Sequence, residues 1–131
     1  MVATLGLVAC DEARQIGDEI RGEVEGALDS AAEVLAEVDD QIDDATRPVY
    51  DNIRSDLEEI QDDVATAADL TGDAARQAYE NLERRAVELR ADAAEAADDA
   101  GREARQAWQR VRSALAELES RIEAAVDELR G

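Results

Sequence analysis

Apolar side chains return every three or four positions from Ile16 almost to the end of the chain. The series begins Ile16, Ile20, Val24, Ala27, Ala31, Val34, Val38, and the same phase passes through Ile53, Ile60, Leu82, Leu89, Val111, Leu118 and Leu129, with Thr71 its one polar member. Such spacing draws a single apolar face along a helix. From Ile16 to Leu129 there are 31 steps averaging about 3.65 residues, close to the ~3.67 of an eleven-residue repeat and above the ~3.5 of a heptad. The stripe therefore runs nearly parallel to the helix axis, and a left-handed zipper is disfavoured.

A longer period lies over this one. The stretches ATRPVYDNI (45–53), AARQAYENL (74–82) and EARQAWQRV (103–111) place Tyr50, Tyr79 and Trp108 at intervals of 29 residues, with Arg47, Arg76 and Arg105 each three positions ahead of them. That interval is about eight helical turns, so on one continuous helix the three aromatics share an azimuth. Tandem duplication of a helical unit accounts for the pattern, with units near 43–71, 72–100 and 101–129.

Breakers are few and fall at equivalent places: Thr46-Arg47-Pro48, Thr71-Gly72 and Ala100-Gly101. As turns they divide the chain into segments 12–44, 48–70, 73–100 and 102–130, which would fold as an up-down bundle. As kinks they leave one segmented helix up to about 170 Å long at ~1.5 Å per residue. The unbroken eleven-residue phase favours continuity, because inserted loops usually reset it. The expected fold is thus all-α, a long segmented amphipathic helix with an eleven-residue period, with the up-down helical bundle as the alternative.

Composition strengthens the all-α reading. Phe, His and Lys are absent, and Ala, Glu, Asp, Arg, Leu and Val supply most positions, a mixture that favours helix and lacks the residues that fill sheets. Fourteen Arg face 34 acids for a net charge of −20, a field that repels nucleic acid and anionic headgroups. The acid is uneven: residues 1–72 carry −16 and residues 73–131 carry −4. Between Ala86 and Ala107 the stripe is Ala apart from Leu89. Each Ala removes little area from water, so this stretch calls for a close partner: a helical protein, another copy of the chain or a lipid surface.

Catalytic signatures are missing. The sequence has no His, a single Cys, no Gly-rich phosphate loop and no nucleophile beside a base, so neither enzyme activity nor a cofactor is expected. The pairs Asp39-Asp40, Asp43-Asp44, Asp62-Asp63 and Asp98-Asp99 lack the loop spacing of a calcium site and read as solvated acid; no metal site is expected. The Arg-x-x-aromatic unit carries two readings. Tyr50, Tyr79, Arg105 and Trp108 would contact a partner or lipid headgroups, with Trp108 at the interface, or the aromatics would pack at the edge of the stripe while the Arg side chains pair with nearby acids.

Met1 to Cys10 is an uncharged apolar stretch, MVATLGLVAC, followed at once by polar residues. It is shorter than the ~20 residues that span a bilayer. Leu7, Val8, Ala9 and Cys10 resemble, position by position, the lipobox of bacterial lipoproteins, although no Lys or Arg precedes Cys10. The resemblance implies cleavage before Cys10, a lipid on its thiol, residues 1–9 as a signal remnant and 10–131 as the amphipathic repeat region. It implies in turn a bacterial envelope protein, membrane-anchored and facing periplasm or exterior. Over residues 12–130 the Ala- and charge-rich eleven-residue pattern is similar to that of late-embryogenesis-abundant proteins and exchangeable apolipoproteins. Two functions are therefore expected: a lipid-anchored spacer or scaffold acting through its apolar stripe, or a soluble, cytoplasmic stress-protective chain that becomes helical on membranes or on dehydration.

Overall fold

The breakers become turns. In the computed structural model, which describes the backbone of residues 2–130 and the side chains of residues 18–130, helix α1 (Val2–Val38) passes through a single 3-10 turn (Asp39–Gln41) into a connection, followed by α2 (Arg47–Ala67), α3 (Gly72–Asp99) and α4 (Arg102–Arg130). The described chain is all-α. Asp39, Asp40, Asp43 and Asp44 crowd the end of α1, where the helix dipole disfavours anions. Pro48 then sits in the first turn of α2, the place where a missing N–H costs least. Gly72 adopts φ +60 at the start of α3, a left-handed conformation that a side chain resists.

These helices fold back on one another, so the extended rod gives way to the bundle. Each helix packs on two neighbours: α1 on α2 and α4, and α3 on α2 and α4. Cross-links fix the antiparallel order. Arg85 of α3 pairs with Glu59 and Asp63 of α2, Arg90 of α3 with Glu119 of α4, and Arg110 of α4 with Glu37 of α1. The physical reason is the stripe itself: on a lone helix it stays in water, whereas four stripes turned inward bury one another at ~25 cal/mol per Å². Continuity of phase did not imply continuity of helix, because turn residues serve the core. Ile42, in the α1–α2 connection, and Ala100, in the α3–α4 turn, are both buried.

The buried set follows the stripe closely, except that Ala45, Thr71 and Ala74 face outward. It is also wider than the stripe. Leu28, Leu35, Tyr50, Tyr79, Trp108 and Val126 are buried one position beyond stripe residues, which gives each helix enough apolar arc to meet two neighbours. The Ala-rich stretch finds its close partner within the chain: α3 and α4 share the most extensive contact of the bundle, and small side chains let their axes approach.

Candidate functional site

Helix direction decides which of the three aromatics spaced 29 residues apart meet. Neighbouring helices run oppositely, so α2 and α4 point the same way and α3 the other. Tyr50 and Trp108 therefore arrive at the end formed by the α1–α2 connection and the α3–α4 turn. Tyr79 arrives at the opposite end, beside Ile20, Ala67 and Leu129. The common azimuth expected of a single helix is replaced by a pair and a singleton.

At the paired end Thr46 is the hub. It is the one buried polar or charged residue among the described residues, 1% exposed. Its hydroxyl donates to Asp43 Oδ1 at 2.6 Å and accepts from the Trp108 indole Nε1 at 2.9 Å. The Asp43 carboxylate also accepts from the backbone N–H of Thr46 at 3.1 Å and, through Oδ2, from that of Gly101 at 2.9 Å. The α1–α2 connection is thereby tied to the α3–α4 turn and to α4. These donors favour the charged carboxylate: the Gly101 N–H first, then the Thr46 hydroxyl, hold Asp43 below the usual carboxylate range.

Tyr50 closes the other side of this latch. Its ring meets the Trp108 ring edge to face, centroids 6.4 Å apart at 76°, an arrangement worth ~0.5–1.5 kcal/mol beyond area burial. Its hydroxyl donates to the Leu35 carbonyl of α1 at 2.6 Å, and burial raises its pKa above the ordinary phenol value. Arg47 lies over the Tyr50 ring at 5.1 Å and donates to the carbonyls of Asp39 at 2.8 Å and Ile42 at 3.2 Å. Arg105 does the matching job for α3, donating to the Ala97 carbonyl at 3.2 Å. Arg105 thus caps the end of α3, whose last carbonyls lack helical partners, while Arg47 pins the 3-10 turn and the connection that follow α1.

Tyr79 and Arg76 lack this setting. Arg76 stays on its own helix, 3.7 Å from Asp73 and 3.8 Å from Glu80. The Tyr79 hydroxyl is buried without a hydrogen-bond partner among the described residues, and burial raises its pKa. Its ring lines a cavity of about 170 Å³ beneath Leu70.

Of the residues singled out for partner or lipid contact, Tyr50, Tyr79 and Trp108 are thus inside the bundle, at 1%, 3% and 0% exposure. In this packing they are not offered to a headgroup or partner. Arg105 is exposed but bound to the end of α3, and Arg110 is engaged with Glu37. The side chain of Cys10 lies outside the described residues. Sequence reasoning missed Thr46 and Asp43; the signal was their place beside Arg47-Pro48, in the longest connection. Among the described residues no cluster of His, Cys, Asp and Glu is arranged to hold a metal ion, and no helix is long and apolar enough to cross a membrane. Compared with protein families, curated proteins and solved structures, the chain finds no match.

Proposed function

We propose that the chain is a non-catalytic, lipid-anchored helical spacer or scaffold of a bacterial envelope. The observation that carries this reading is the lipobox-like Leu7-Val8-Ala9-Cys10 directly ahead of the repeat region. On this reading the bundle end near Ile20, ten residues after Cys10, faces the membrane. The Thr46–Trp108 latch is then held away from it by the length of the helices, about 44 Å for the 29 residues of α4. The stripe is spent on the chain's own core, so contact with other molecules falls to the outer faces and to the grooves between helices. That is a change from a scaffold acting through its apolar stripe.

Labelling with radioactive palmitate tests the anchor. Expressed in a bacterium with lipoprotein processing, the wild type is expected to incorporate label and to sediment with membranes, while Cys10→Ala does neither. Equal fractionation of the two, with no label in the wild type, overturns the proposal.

A further inference from the structure

Among the described residues the four seams of the bundle are unequal, and the least extensive is the one between α1 and α2. There the helices leave a groove of about 320 Å³. Its floor is apolar, formed by the buried side chains of Leu35, Tyr50 and Leu57, and the small exposed Ala32 and Ala36 form its α1 wall. Glu58 and Gln61 stand at its edges with one lining cation, Arg54, and with Asp39, whose carboxylate is paired with Arg47. Among the described residues Arg54 and Glu58 belong to no ion pair. The groove also lies in the half of the chain that holds −16 of the −20 charge. By contrast, α4 carries six acids and six Arg and is neutral.

We propose that the α1–α2 groove docks a basic amphipathic helix of a partner protein. The partner's apolar side chains seat against Ala32, Ala36 and Leu57, and its Lys and Arg side chains lie along the acidic surfaces of α1 and α2. Charge selects this occupant. A second copy brings another −20. An anionic membrane meets the same repulsion. A basic helix instead gains steering from the long-range field and specificity from the apolar floor. The inference holds whether or not Cys10 carries a lipid.

The probe is a fluorescein-labelled peptide of about 18 residues, roughly five turns, with Leu on one face and Lys on the other, titrated into the full chain by fluorescence anisotropy. Arg54→Glu is expected to tighten binding several-fold, a gain that damage to the fold does not produce. Glu58→Arg and Ala36→Phe are each expected to weaken it about tenfold, equivalent to ~1.4 kcal/mol, with circular dichroism unchanged. Glu88→Arg, on the exposed face of α3 and equal to Glu58→Arg in net charge, is expected to change it less than about twofold by screening alone. Absence of saturable binding, self-association of the chain in its place, equal effects of Glu58→Arg and Glu88→Arg, or indifference to both Ala36→Phe and Arg54→Glu each overturns the proposal.

Discussion

Thr46 does work that its neighbours cannot share. It accepts from the indole N–H of the only Trp and donates a hydrogen bond to Asp43, so removing its hydroxyl strands the buried indole N–H, while Asp43 keeps the backbone N–H groups of Thr46 and Gly101. Leaving a buried donor unpaired costs about 1–3 kcal/mol. Thr46→Val is therefore expected to lower stability by about that amount in urea denaturation. Thr46→Ser, which keeps both hydrogen bonds and loses one methyl group, should lose about 1 kcal/mol or less. Trp108 fluorescence reads the lesion directly, since the ring lies beside Thr46 and Tyr50; equal stability of the Val variant and the wild type would show that the latch contributes nothing. The contacts of Arg47 and Arg105 are a different kind, part-buried hydrogen bonds to backbone carbonyls, each typically contributing about 0.5–1.5 kcal/mol.

At the level of the element, the turn before α3 depends on one backbone angle. Gly72 at φ +60 has open space around it, with nothing within 4 Å of an added Cβ, so sterics of the surroundings are not the issue; the left-handed backbone is. Gly72→Ala is expected to cost about 1–2 kcal/mol, measured by thermal or urea unfolding. Gly101→Ala, where φ is ordinary and Asp43 Oδ2 would lie 3.7 Å from the new Cβ, should cost less. The same elements show how much the sequence revealed. The bounds of α2, α3 and α4 were legible within three residues because Pro48, Gly72 and Gly101 have local backbone consequences, whereas α1 ends at Val38, six residues before the expected 44, with no Gly or Pro to mark it. The buried stripe was legible because 3.6-residue periodicity is local too. Rod or bundle was not, since Ile42 and Ala100 keep the apolar phase running through the turns. Nor was the pairing of Tyr50 with Trp108, which depends on the direction of helices far apart in sequence. The exposed reading of the aromatics fails for a related reason: a stripe wide enough for a single helix edge is narrower than the arc a four-helix core requires, so the residues one position beyond it turn inward.

For the whole molecule the governing quantity is the −20 charge. Such a field strains the compact state through self-repulsion, so added salt is expected to raise the melting temperature at neutral pH. Two carboxylates shape the acid side in opposite senses. Burial, and then Glu123 across the α3–α4 seam, raise the Glu83 pKa above its usual value. Its folded form thus binds a proton more tightly than its unfolded form, and stability grows as pH falls through the raised value. Asp43 is depressed, so its contribution is present above the ordinary Asp range and disappears as pH falls through its folded value. Melting temperature should climb on acidification from neutrality and fall again at lower pH. Asp43→Asn should flatten that lower limb, and an unchanged limb would refute the assignment. Alternating helix direction has a further consequence, for the arithmetic of inheritance. Insertion of a single 29-residue copy would move the chain's terminus to the opposite pole and leave the new aromatic without a Thr46 to receive it. Two copies at once return the terminus to its original pole. With helices that alternate in direction, only units added as a hairpin keep the two poles of the bundle where they are.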